Sequence, residues 1–189
     1  DLGAEWETLT RGTPTVTLES ELPEAVALIT PDNEALGWAL ARRALEEYRG
    51  GTVLLLDCLP ENTGVQARVE AAEAALIRGG ATVLRCSETG EEELIRLDEE
   101  GALAQVVALE IGATEAAAQA KERAGSSAAL YGVGVTSRIA AWLERGTISA
   151  VAAWSEYAAG YLAVDGAAKL ARGERLSLIH ISEPTRQAE

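Results

Sequence analysis

The sequence predicts an α/β protein built on a doubly wound parallel sheet. Short apolar runs alternate along the chain with longer segments whose apolar residues recur at helical spacing. The run Thr52–Asp57, TVLLLD, is apolar on both faces, as strands covered by helices on both sides are. The glycine pairs Gly50-Gly51 and Gly79-Gly80 are typical of turns between these segments. Strands that alternate with helices favour a parallel sheet with helices on both faces.

The individual elements follow from these periodicities. The predicted strands are Thr15–Leu18, Ala25–Thr30, Thr52–Asp57, Thr82–Cys86, Val106–Glu110, Ala129–Val133 and Ile148–Trp154. The predicted helices are Leu2–Leu9, Glu34–Tyr48, Gly64–Arg78, Glu91–Leu97, Thr114–Arg123, Ser137–Arg145 and Glu156–Ala171. Asp32 or Asn33 is the expected N-cap of the first long helix, Thr114 caps a later one, and Gly146 ends the next.

Charge and length restrict the possible partners. The chain has 189 residues and a formal net charge of −14. An acidic surface repels phosphate groups, so nucleic acid and anionic membranes are unfavourable partners for this region. No apolar run is long enough to span a bilayer.

Reactive side chains are few. The only histidine, His180, lies in a terminal segment that we interpret below as non-native, so no nucleophile–histidine–acid set is predicted. Lys121 and Lys169 occupy helical positions predicted to face solvent. Cys58 and Cys86 end separate β runs and fit neither a disulfide framework nor a metal motif; buried thiols are favoured, and their pairing stays open. The sequence therefore predicts no enzyme, no metal and no cofactor.

A glycine pattern, Gly132-x-Gly134-x-x-Ser137, follows a strand and opens a helix. It half-matches a dinucleotide fingerprint, but it lies on a late strand and lacks the third glycine. A tight strand-to-helix turn, capped by Thr136 or Ser137, is the favoured interpretation. Helix starts and strand ends meet at this edge of such a sheet, where ligands bind.

Both ends of the chain carry expectations of their own. The chain has no methionine and begins at Asp1, which indicates a fragment. Leu176–Arg186, LSLIHISEPTR, is what a common transposase-type sequencing adapter encodes in frame, and Gln187–Glu189 then corresponds to index sequence. We predict a non-native tail over 176–189 and exclude it from fold reasoning. A native amphipathic tail is the alternative.

The stretch Ala129–Glu174 resembles the end of a type I periplasmic substrate-binding protein, of the ribose- and galactose-binding kind. Such proteins run strand, V-G-x-D, helix, N-x-G, strand, and a helix ending in K-G-E. Gly132, Arg145-Gly146 and Ala171-Arg172-Gly173-Glu174 fit that order without gaps. Upstream, family motifs fit Asp32-Asn33 with Gly37, and Arg68 with Ala71-Ala72. Polar family positions differ here at Gly64, Glu110, Gly134 and Trp154.

The resemblance implies a type I lobe architecture with defined segments. Residues 1–19 are the end of a truncated N-terminal lobe, and residues 20–153 form the C-terminal lobe. Residues 154–175 cross back to the N-terminal lobe and form its helix, before the tail 176–189.

The resemblance also implies a function: the ligand-binding component of an ABC-type importer, which closes two lobes about a hinge on a sugar or other small polar solute. The candidate ligand-binding residues are Asn62, Gln66, Arg68, Glu110, Thr136, Trp154 and Glu156. The expected partners are the small-molecule ligand and an ABC transporter permease, and the expected state is a monomer. The implied location is extracytoplasmic, either periplasmic or as a membrane-anchored lipoprotein.

Two other classes of protein remain open. The effector-binding domain of a lac-repressor-like transcription regulator shares this lobe, and an upstream helix-turn-helix would distinguish it. A doubly wound enzyme would need a catalytic constellation, which the sequence does not offer. The departures at Glu110, Gly134 and Trp154 argue against a simple pentose or hexose, and the chain as given is expected to bind its ligand weakly.

Overall fold

The structure, a computed structural model, describes residues 10, 12–19, 22, 25–87, 90–174 and 176. Its strands are β1 Val16–Leu18, β2 Ala27–Ile29, β3 Thr52–Leu56, β4 Thr82–Cys86, β5 Leu103–Ala108, β6 Ala129–Val133 and β7 Ala150–Ala152. Its helices of regular length are α1 Asn33–Glu47, α2 Thr63–Arg78, α3 Glu91–Glu99, α4 Ile111–Ala124, α5 Ser137–Glu144 and α6 Glu156–Ala171. The predicted helix Leu2–Leu9 and nearly all of the predicted tail lie outside the described residues.

Five parallel strands form the main sheet in the order β4-β3-β5-β6-β7. The order reverses direction at β3, as in a doubly wound sheet, and each connection between strands that follow one another along the chain runs through a helix. The predicted fold class is therefore confirmed.

Side chains alternate between the two faces of this sheet and build two cores. Val53, Leu55 and Val107 pack with α1 and α2 on one face. Leu54 and Leu56 pack with α3, α4 and α5 on the other face. Helices cover both faces of the sheet, which explains why the strand sequences are apolar without alternation.

Observed and predicted boundaries differ where local hydrogen bonds override propensity. The last strand begins at Ala150 rather than Ile148, because the Ile148 amide still donates to the Trp142 carbonyl oxygen at 3.2 Å. Helix α4 begins at Ile111 rather than Thr114, because the Glu110 side chain caps it. The prediction of Thr114 as the cap is thus wrong.

The described chain divides into two compact units, residues 10–32 with 155–176, and residues 33–154. In the smaller unit β1 pairs in parallel with β2, Val16 opposite Ala27, and α6 packs against both strands. The strand Ala27–Ile29, predicted within the C-terminal lobe, therefore groups with β1. None of the helices within the described ranges is long and apolar enough to cross a membrane.

Candidate ligand-binding site

The carboxyl edge of the main sheet gathers most of the predicted site residues. The chain leaves β3 into Asp57, β5 into Glu110 and β7 into Trp154, while α2, α4 and α5 begin beside these strand ends. Ligands of doubly wound sheets bind at this edge, because strand ends and helix starts leave polar groups there. Glu156 lies instead in the first turn of α6, exposed, in the smaller unit.

Arg68 is the buried centre of this edge. Its side chain is on the sheet-facing side of α2, one turn from Val65 and Ala72, and the residue is 2% exposed. Nε donates to Asn33 Oδ1 at 2.5 Å and Nη1 donates to the Leu109 carbonyl oxygen at 3.4 Å. The guanidinium carbon lies 4.5 Å from the centroid of the Trp154 ring. Arg68 thus positions Asn33 and Trp154. The sequence predicted a ligand contact for Arg68 and did not predict this role.

Gln66 is engaged within the protein. Its Nε2 donates to Asp57 Oδ1 at 2.6 Å, and its Oε1 accepts from Arg85 Nη2 at 2.7 Å. Arg85 also donates to Asp57 Oδ2, from Nε at 3.0 Å and from Nη2 at 2.5 Å. These bonds to Asp57 are the main reason why the pKa of Arg85 is raised above its usual value. The cluster fixes the junction between the ends of β3 and β4.

Three other predicted site residues cap helices. Asn62 Oδ1 accepts from the Val65 amide at 2.9 Å, and Glu110 Oε2 accepts from the Ala113 amide at 2.8 Å. Thr136 Oγ1 accepts from the Ile139 amide at 3.2 Å and donates to Glu115 Oε1 at 2.7 Å. Thr136 is therefore the cap that the glycine turn predicted.

The glycines of that turn are explained by packing. A Cβ atom on Gly132 would lie 2.3 Å from Thr114 Cγ2, and Gly134 has φ +110° with Ile111 Cγ1 only 2.8 Å from the same hypothetical atom. Thr114 Oγ1 accepts from the Val133 amide at 3.0 Å and donates to the Glu110 carbonyl oxygen at 2.9 Å. The pattern therefore serves the close approach of α4 to β6.

Sequence reasoning missed Asp57 and Arg85 and misplaced Lys121. Asp57 is 2% exposed at the end of an otherwise apolar strand, and a carboxylate in that position is a signal for a buried ionic partner. Lys121, predicted to face solvent, is 9% exposed, and its Nζ donates to the Thr147 carbonyl oxygen at 2.8 Å. The long lysine stem lets a helix-face residue reach a neighbouring loop.

Cys58 follows Asp57 in the chain and is half-buried. Its burial is the main cause that raises the pKa of its thiol to about 11, and the charges of Glu110, Cys86 and Asp57 add to the effect. Within the described ranges, no three His, Cys, Asp or Glu side chains are grouped so as to hold a metal ion.

We expect the Cys58 thiol to resist alkylation. At pH 8 a thiol with this pKa is ionised to only about one part in a thousand, and the thiolate is the reactive form. In a reduced Cys86→Ser variant, the iodoacetamide rate should rise about tenfold per pH unit from pH 7.5 to 9.5. The urea-denatured variant is the control, with an ordinary thiol near pH 8.5. A rate that levels off near pH 9 in the folded protein would contradict the raised pKa.

The chain thus combines a doubly wound sheet with polar residues along its carboxyl edge, the place where such sheets bind ligands. The profile of the family described as "Periplasmic binding protein domain" matches residues 8–175, and the chain belongs to this family. The resemblance inferred from the motifs is thus confirmed. The family consists of binding proteins rather than enzymes, and membership implies an extracytoplasmic location.

Solved structures with the same fold are similarly described. The periplasmic component of an ABC-type sugar transport system from Hahella chejuensis is 21% identical, with a TM-score of 0.84 over 99% of this chain and 72% of that chain. GanP, a glucose-galactose binding protein from Geobacillus stearothermophilus, is 19% identical, with a TM-score of 0.82 over 96% and 70%. An ABC transporter solute binding protein from Agrobacterium vitis, bound with α-D-tagatopyranose, is 17% identical, with a TM-score of 0.86 over 98% and 71%. No protein of the curated set matches the chain.

Proposed function

We propose that this chain is part of the ligand-binding component of an ABC-type importer, and that its ligand is a sugar or another small polar solute. The observation that carries the proposal is the family match over residues 8–175, which spans both compact units. The similar solved structures support a sugar as the ligand, because they are sugar-transport and sugar-binding proteins. The proposed mechanism is hinge closure of two lobes on the ligand.

The proposed binding surface is the carboxyl edge of the main sheet. Trp154 is half-buried and offers an aromatic face of the kind that packs on a sugar ring. Arg68 stacks on that ring at 4.5 Å and holds it, so the indole needs little reorganisation on binding. Asn62, Glu110 and Thr136 supply polar atoms beside three helix starts, and Gln66 supports the junction behind them. Glu156 is retained as a candidate from the smaller unit.

The proposal extends to partners and location. A binding protein of an importer delivers its ligand to a permease in the membrane, and a monomer suffices for that. Either a periplasmic protein or a lipid-anchored one fits an extracytoplasmic location. The acidic net charge of −14 supports a small-molecule ligand over nucleic acid for this region.

We expect Trp154→Ala to weaken sugar binding at least about tenfold, equivalent to ~1.4 kcal/mol, because the aromatic face is lost. The matched control is Trp38→Ala. Trp38 is also half-buried, and the guanidinium carbon of Arg78 lies 4.1 Å from its ring centroid. Trp38 lies within α1 and Arg78 is the last residue of α2, so this pair is not at a strand end of the carboxyl edge.

The measurement is a thermal-shift and calorimetric screen with D-arabinose, D-tagatose, D-fucose, D-galactose and D-glucose at millimolar concentration. The expected pattern is a shift in the wild-type protein and in Trp38→Ala that is lost in Trp154→Ala. Equal binding by both variants would reject the aromatic site, and a screen with no binder would reject these five monosaccharides as ligands and leave a larger sugar or another small polar solute. A helix-turn-helix upstream in the gene would instead identify a regulator.

A further inference from the structure

Cys58 and Cys86, the two cysteines of the chain, lie on one face of the main sheet at the ends of neighbouring strands. Leu56 of β3 pairs in register with Cys86 of β4, and the Asp57 amide donates to the Cys86 carbonyl oxygen at 2.8 Å. Cys58 is the next residue. Both cysteine side chains pack against the core cluster that Leu54 and Leu56 share with α3, α4 and α5.

We propose that Cys58 and Cys86 form an intramolecular disulfide in the oxidising compartment in which this family works. Both are thiols in the structure, and cytosolic conditions would keep them so. The oxidant is the disulfide of a thiol oxidoreductase or of glutathione. The two cysteine thiols lose two protons and two electrons, one sulfur–sulfur bond forms, and the oxidant's disulfide is reduced to two thiols. The proposal rests on the extracytoplasmic location and does not depend on the ligand.

The geometry requires a small local movement. An extended continuation of β3 would place the two Cα atoms roughly 8 Å apart, given about 3.3 Å of rise per residue and about 4.8 Å between strands. A disulfide needs about 4.4–6.8 Å, so Cys58 has to approach Cys86 by roughly 1–4 Å. Cys58 lies beyond the end of β3, so the movement concerns the backbone from Cys58 onward, while the Asp57 amide stays bonded to the Cys86 carbonyl oxygen.

The opposite face of the sheet already joins the same two strand ends. Asp57 and Arg85 precede Cys58 and Cys86 by one residue each, so they have the same diagonal offset across β3 and β4. Arg85 Nη2 lies 2.5 Å from Asp57 Oδ2, and Asp57 is almost fully buried. An ion pair on one face and a disulfide on the other would fix this junction. The closed loop contains the whole of α2, and with it Gln66 and Arg68.

The test uses the wild-type chain, incubated with oxidised glutathione or recovered after export, then denatured without reductant, alkylated and digested. The expected product is one pair of peptides joined through Cys58 and Cys86, lighter by two hydrogen atoms than the reduced pair, with neither cysteine alkylated. Dithiothreitol should restore two alkylation sites and lower the melting temperature by roughly 5–10 °C.

Two results would overturn the disulfide. One is full alkylation of both cysteines after either treatment, and the other is glutathione on each cysteine or a bond between two copies, without the joined pair. The Cys58→Ser and Cys86→Ser variants serve the melting experiment, where dithiothreitol should have no effect. The peptide measurement needs no variant, so a poorly folding variant leaves it decisive. Loss of sugar binding alone would concern the proposed function and not this bond.

Discussion

Replacing Arg68 with alanine is expected to lower the free energy of unfolding by about 3–5 kcal/mol. Arg68 is 2% exposed, and its guanidinium donates to Asn33 Oδ1 and to the Leu109 carbonyl oxygen. Its removal leaves both acceptors short of a donor and opens a cavity beneath the Trp154 ring. Urea denaturation followed by circular dichroism measures the change.

Arg78→Ala provides the matched control for Arg68. Arg78 also stacks on a tryptophan, at 4.1 Å from the Trp38 ring centroid, and donates to the Ala74 carbonyl oxygen at 3.0 Å, but it is exposed. Stacking at an exposed site contributes about 1 kcal/mol or less. If the two variants lose similar stability, the burial and bridging role given to Arg68 is wrong.

Gly37→Ala is expected to destabilise the protein by about 2–3 kcal/mol, although alanine is intrinsically the better helix former by about 1 kcal/mol. A Cβ atom on Gly37 would lie 2.2 Å from the Arg68 carbonyl oxygen and 3.0 Å from its carbonyl carbon. Both are backbone atoms of α2, so relief requires that the two helices separate. Thermal and urea denaturation both report the change.

Gly160→Ala in α6 is the corresponding control, because a Cβ atom there meets nothing within 4 Å. Its substitution should leave stability unchanged or raise it by up to about 1 kcal/mol, as helix propensity alone predicts. A stabilised Gly37→Ala protein would show that α1 and α2 do not approach as closely as described.

The fold was predictable because its signals are local. Alternation of apolar runs with helical periodicity defined β3, β4, β6 and α6 to within a residue. Boundaries failed where particular hydrogen bonds, rather than propensity, decide them. Glu110 rather than Thr114 caps α4, since Thr114 is used to bridge the Glu110 carbonyl oxygen and the Val133 amide across to β6. The choice of the capping residue thus depends on a contact between Thr114 and β6, which lie far apart in the sequence.

The sequence predicted where the candidate site residues lie on the sheet, but it did not predict their hydrogen bonds. The strand-end rule pointed to Thr136 and Trp154, and the family resemblance to Glu110, but the sequence could not reveal which polar atoms are already used within the protein. Gln66 was expected to meet a ligand, whereas both ends of its amide contact Asp57 and Arg85. That network joins residues up to 28 positions apart, on two strands and a helix, and it exists only once the sheet has formed its register.

The contacts of Arg68 have a topological consequence. Asn33 and Trp154, which it touches, are the first and last residues of the described larger unit. The polypeptide therefore enters and leaves that unit at one place, with both ends held by a single side chain. A unit with adjoining ends behaves as an insertion: it interrupts the chain of the smaller unit with little loop-closure entropy to overcome. Within the described residues, exchange of the larger unit as a whole would require rejoining the chain at two neighbouring positions.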